Sequence, residues 1–184
     1  LLGHSHGCAY TVWCAAHHQE LVRGVILAAP PIASSQRVRR GEFLKFAILL
    51  LFAPKTKYRF HGPSSDPRIP SDSPVPDGVS IRWLYGTKKY LHDPLMKNSE
   101  KIKIPVLILQ GGRDASTLPE GANYLMNRLT TQDKTLQMFD ETDHFLFDEF
   151  VSVAFDEKSS GRSALLAVLI GWLERVGRSG ARRF

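Results

Sequence analysis

Apolar residues along this chain fall into three short runs, separated by segments with helical spacing. Val25-Ile26-Leu27-Ala28-Ala29 ends at Pro30-Pro31, and Val106-Leu107-Ile108-Leu109-Gln110 is introduced by Pro105 and closed by Gly111-Gly112. Continuous runs of this length, bounded by breakers, predict buried strands of a parallel sheet. Thr135-Leu136-Gln137-Met138-Phe139 alternates and predicts a strand nearer an edge. From Glu120 to Leu129, Ala122, Leu125, Met126 and Leu129 share one helical face. From Ser163 to Val176, Leu165, Leu166, Leu169, Trp172, Leu173 and Val176 predict an amphipathic terminal helix, with Ser163 as its cap. Strands alternating with helices make an α/β domain, a parallel sheet with flanking helices, whose ligand sites gather at the carboxyl ends of the strands.

The stretch from Ile32 to Lys101 breaks that rhythm. Phe43 to Ala53 is apolar except for Lys45, and a Pro/Ser/Asp-rich loop runs from His61 to Asp77. The apolar run is too short to cross a bilayer, which needs about 20 residues. Its length predicts a buried cap helix; the functional reading is a cap over an apolar pocket, or a surface that dips into a lipid interface with basic residues at its rim.

Composition changes this picture only locally. The 184 residues, 43% of them hydrophobic, suffice for one domain with a real core. Arg37, Arg39, Arg40, Lys45, Lys55, Lys57 and Arg59 stand against the single acid Glu42, which accounts for the net charge of +6 and leaves the rest about neutral. No nucleic-acid module accompanies the cluster, so residues 37–59 read as a solvated face or as a peripheral contact with anionic lipid. Cys8 and Cys14 point in different directions on one helix and read as free thiols, which favours a reducing compartment and a cytoplasmic or peripheral-membrane location.

The chemistry centres on Gly3-His4-Ser5-His6-Gly7. In a G-x-S-x-G pentapeptide the serine sits on a sharp turn between strand and helix, with its hydroxyl pushed out above the sheet. Both glycines are expected to leave room for the helix to fold back on the strand. Leu1-Leu2 before it is a strand stub, and Cys8 to Ala16 after it contains no breaker. Asp114 follows the second apolar run and His144 the third, so both fall on strand-end loops on the side of Ser5, in the order Ser, Asp, His. This predicts Ser5 as nucleophile, His144 as general base and acid, and Asp114 as the group that orients the imidazole. The His6 backbone N–H, at the helix start, is a candidate oxyanion donor. Asp140 and Asp143 are rival acids; Asp143 adjoins His144, and neighbours on a tight loop point apart. His4, His6, His17 and His18 lack a carboxylate or cysteine to complete a metal set, so neither metal nor cofactor is expected.

The elbow, the Gly24 to Pro30 strand, Ile104-Pro105-Val106-Leu107-Ile108-Leu109-Gln110-Gly111-Gly112-Arg113-Asp114 and Asp143-His144 with Glu149 resemble the α/β-hydrolase superfamily. Within it the chain is most similar to the monoacylglycerol lipase and lysophospholipase branch, also called serine aminopeptidase-like hydrolases; Asp93-Pro94-Leu95 matches that branch too. The resemblance implies a serine hydrolase cleaving carboxylic esters through an acyl-enzyme. It implies hydrolase core at 1–32 and 97–184, with a cap or lid insertion at 33–96. The branch has Met where His6 stands and a second glycine where Cys8 stands, so pocket polarity differs here. Its His-Gly loop, which supplies the other oxyanion N–H, belongs upstream of residue 1, and the chain reads as the C-terminal part of the fold. Acyl-ester substrates are implied. The alternatives are a hydrolase of small non-lipid esters, amides or peptides, and a non-catalytic hydrolase-like module.

Overall fold

The structure, a computed structural model, describes residues 1–33, 40–58, 78–147 and 160–180. The His61–Asp77 loop, Arg37, Arg39, Arg59, Glu149 and the Arg40 side chain lie outside this description. A four-stranded sheet carries the domain: β1 (Leu2–His4), β2 (Val25–Ala28), β5 (Val106–Gly111) and β6 (Lys134–Phe139), in that spatial order. Every pairing is parallel, with Leu2 opposite Ile26, Val25 opposite Val106 and Val106 opposite Lys134. The two continuous apolar runs form the central strands β2 and β5, and the alternating run forms the edge strand β6, as its pattern predicts.

Parallel strands need crossovers, and these coat both faces of the sheet. On one face Val25, Leu27, Val106 and Ile108 meet α1 (Gly7–His17) through Cys8, Ala9, Val12 and Ala15, α4 (Asp93–Ser99) through Leu95, and α5 (Pro119–Arg128) through Ala122 and Leu125. The alternate residues Ile26, Ala28, Leu107 and Leu109 face the other way, onto Leu165, Trp172 and Val176 of the terminal helix α6 (Ser160–Gly180). That helix starts before Ser163, so Ser163 lies inside it rather than capping it. Leu166 and Leu173 stay exposed, because the face that packs on the sheet carries Leu165, Val168, Leu169, Trp172 and Val176.

Between β2 and β5 the chain also forms α2 (Phe43–Phe52), a short antiparallel pair β3 (Lys57–Tyr58) and β4 (Val79–Ser80), and α3 (Ile81–Thr87). The Ser80 hydroxyl caps α3 by accepting from Trp83 N at 3.1 Å. A π-helical turn over Lys88–His92 joins α3 to α4. The expected burial of the Phe43–Ala53 helix is corrected here: none of the residues of α2 is buried, since the helix lies outside both core clusters. Among the described residues no helix is long and apolar enough to cross a membrane.

Candidate active site

Ser5 occupies the turn between β1 and α1 with φ of 51°, in the left-handed region that non-glycine residues seldom adopt. The turn is held by Ser5 N donating to Ala28 O at 2.9 Å and Cys8 N donating to Ser5 O at 2.9 Å. Only one of the two flanking glycines is there for space. A Cβ on Gly3 would strike the Thr11 side chain and, at 2.7 Å, the Gly7 carbonyl, whereas one on Gly7 would meet nothing within 4 Å. The Cys8 thiol stiffens the same corner, lying 3.2 Å from Gly3 O and 3.3 Å from Ala28 O. Burial pushes that thiol up to about 12, so it remains a neutral S–H donor.

The predicted partners converge on Ser5. His144 Nε2 is 3.1 Å from Ser5 Oγ, and His144 Nδ1 is 2.9 Å from Asp114 Oδ2. A carboxylate only accepts, so Nδ1 carries the proton and Nε2 faces the hydroxyl as a bare acceptor. The rival Asp143 uses Oδ1 to accept from Phe145 N at 2.9 Å and so shapes the histidine loop. Gly111 and Gly112 let that loop come close: a Cβ on Gly112 would lie 2.7 Å from Asp140 Cα, and one on Gly111 would collide with the carbonyls of Thr142 and Asp143.

Asp114 is 2% exposed, and its carboxylate is closely partnered. Oδ1 accepts from Ser116 N at 2.8 Å and Thr117 N at 2.7 Å. Oδ2 accepts from the Thr117 hydroxyl at 2.6 Å, Gln110 Nε2 at 3.2 Å and His144 Nδ1. Burial works to raise its pKa, but the bonds from His144 and from the Thr117 side chain and backbone outweigh it and hold the carboxyl below its ordinary 3.8. Asp114 therefore enters neutral solution as a fixed negative charge beside the imidazole.

Sequence reasoning gave no role around the relay to five neighbours. Thr117 and Ser116 form an Asx-type turn on Asp114, for which Asp-x-Ser-Thr is a readable signal. His4 bonds the His144 carbonyl through Nε2 at 2.8 Å, and its ring lies 5.1 Å from that of His144. Trp83 lies on α3 and His92 on the π-helical turn, and only the folded chain brings them to the site. They line a cavity of about 610 Å³, together with His6, Ile32, Phe43 and Phe46. Ser116 and Thr117 form part of the same wall, so the cavity abuts the Asp114 turn.

Comparisons with known proteins identify the family and the fold. A family model described as serine aminopeptidase, S33, matches residues 1–150. The monoglyceride lipase of Rattus norvegicus is 27% identical over 199 residues, covering 99% of this chain and 60% of the relative. That of Mus musculus is 25% identical over 190 residues, covering 98% and 60%. This chain thus spans about 60% of the length of these curated relatives. Among solved structures, a monoacylglycerol lipase from Paleococcus ferrophilus superposes with a TM-score of 0.67 at 24% identity, covering 96% of this chain and 68% of that one. A soluble variant of the Saccharomyces cerevisiae monoglyceride lipase, in complex with a substrate analogue, gives 0.62 at 19%, covering 95% and 61%. These likenesses establish the α/β-hydrolase fold, represented here in part.

Proposed function

The chain belongs to the serine aminopeptidase, S33, family, and from that premise we propose that the protein is a serine hydrolase of carboxylic esters, acting on a monoacylglycerol or lysophospholipid. The observation that carries this reading is the unbroken relay from Asp114 Oδ2 through His144 to Ser5 Oγ, with links of 2.9 and 3.1 Å. Ser5 Oγ attacks the ester carbonyl carbon while His144 Nε2 takes its proton. The resulting oxyanion is met by the His6 backbone N–H, and the C–O bond then breaks as His144 returns the proton to the departing alcohol. Water, deprotonated by the same imidazole, releases the acid and restores Ser5. Asp114 remains ionised and stabilises the imidazolium without taking its proton.

Single-chain lipid esters are favoured over small ones by the cavity, whose wall includes Ile32, Phe43, Phe46, Trp83 and Met96 and is of a size to receive an acyl chain. In this reading residues 33–96 form the cap, and 1–32 with 97–184 form the hydrolase core. Phe43, Leu44, Ile48, Leu51 and Phe52 are exposed on α2, and Lys45, Lys55 and Lys57 are exposed nearby. That combination suits peripheral contact with an anionic lipid surface.

Labelling of the full-length protein with a fluorophosphonate tests the chemistry: Ser5 should be the modified residue, and absence of label there would sink the proposal. Rates on p-nitrophenyl esters should rise from acetate towards longer acyl groups; a preference for the shortest would favour a small-ester hydrolase instead.

A further inference from the structure

The cavity is apolar over most of its wall, yet two imidazoles interrupt it side by side. His6 follows Ser5 on the elbow, and His92 ends the π-helical turn. Their rings stack with centroids 6.1 Å apart and 20° between planes, while Trp83 sets an edge against His6 at 6.1 Å and 70°. A π-helical turn adds a residue to the register of a helix and is frequent at functional sites. Here it carries a histidine to the cavity wall.

His92 Nε2 is buried and has no hydrogen-bond partner among the described residues. A buried polar atom left unpaired costs stability, and a hydrocarbon tail in the cavity offers nothing to relieve it. The groups around it settle what would. Burial, and then the field of His144, lowers the pKa of His6; burial, and then the field of His6, lowers that of His92, with Lys88 acting in the same sense and Asp93 against it. Both rings are therefore neutral at neutral pH, and each offers one N–H donor and one bare acceptor. Lys88, also on the wall, is engaged by both carboxylate oxygens of Asp93 at 2.8 Å, so its charge is already matched. A carboxylate or phosphate finds no free cation among these groups, whereas a hydroxyl, which both donates and accepts, complements the pair.

We propose that His6 and His92 form a hydrogen-bonding subsite in the wall of the substrate cavity, which takes a hydroxyl carried by the ester and makes the enzyme selective for oxygenated substrates. This rests on the hydrolase reading above. The hydroxyl has two available sources, an oxygenated acyl chain or the alcohol portion of the ester.

Two arms of one kinetic experiment separate them, using the full-length protein. The first compares methyl esters of monohydroxylated fatty acids with the methyl ester of the plain acid of equal length. The second compares the glyceryl ester of the plain acid with its methyl ester. One arm should show a preference of about tenfold in kcat/KM, the worth of one good hydrogen bond. The His92→Phe variant should bring that ratio close to one, and His92→Gln, which keeps a donor and an acceptor, should retain part of it. Fluorophosphonate labelling of Ser5 in each variant reports whether the site has folded. Ratios near one in both arms for the natural protein, or a ratio undiminished in His92→Phe, overturn the subsite. Should no ester be cleaved at all, the hydrolase reading fails separately. The subsite is then read by calorimetry on the Ser5→Ala protein, which should bind a long-chain diol about tenfold more tightly than the mono-alcohol of equal length. Equal affinities overturn it.

Discussion

Strand β5 and helix α2 are written in nearly the same alphabet and meet opposite fates. All six residues of β5 are buried, whereas the ten residues of α2, apolar except for Lys45, include none that is. β5 lies between two other strands and under helices on both sides; α2 sends Phe43 and Phe46 to the cavity wall and leaves Phe52 81% exposed. An apolar run states that a segment gains by leaving water. It does not state what will cover it. In the core the cover is the rest of the domain, and in the cap we assign it to substrate and to a lipid surface.

Four experiments bear on that contrast, from the strongest expected effect to the weakest. Asp114→Asn, just beyond β5, should cut kcat/KM by about 10⁴, because an amide no longer enforces the Nδ1–H tautomer of His144; a loss under tenfold would place the acid elsewhere. Ile108→Ala should destabilise the protein by about 2–5 kcal/mol in denaturant unfolding, as the cavity left in a closed sheet cannot collapse.

The third experiment concerns pH, where one carboxyl and two imidazoles all have lowered pKa values but respond in different windows. Asp114 has a depressed carboxyl pKa, so its contribution is present above its ordinary 3.8 and is lost only as pH falls through the lowered value. His6 and His92 have depressed imidazole pKa values, so the unfolded chain binds their protons first and stability declines once pH drops below about 6.5. Unfolding free energy should therefore fall between pH 6.5 and 5, and less steeply in His92→Phe; identical slopes would remove the cap from the acid response. The weakest effect is expected for Phe52→Ser, which should change stability by no more than about 0.5 kcal/mol while reducing binding to anionic vesicles. A stability loss comparable to that of Ile108→Ala would mean that α2 is covered by protein after all.

The same contrast explains what could be read from the chain. The strands and the convergence of Ser5, Asp114 and His144 were legible, because short apolar runs bounded by proline and glycine mark β2 and β5 and each chemical residue sits a few positions past a strand. The exposure of Leu166 and Leu173 on α6 was not, since both satisfy helical spacing equally well whether or not a sheet lies beneath them. Gly7 fits the motif without needing its small size, as the open space beside it shows. His92 was beyond reach for another reason: its role depends on the π-helical register and on a neighbour 86 positions earlier, at His6, and no local pattern encodes that meeting.

The backbone at Ser5, with φ of 51°, carries a final implication. A left-handed conformation at a residue with a Cβ costs about 1 kcal/mol or more, which glycine would largely avoid. On the proposed mechanism the attacking residue weakens the protein, and Ser5→Gly should withstand more denaturant than its parent while hydrolysing nothing. In that reading durability and turnover pull against each other at a single α-carbon.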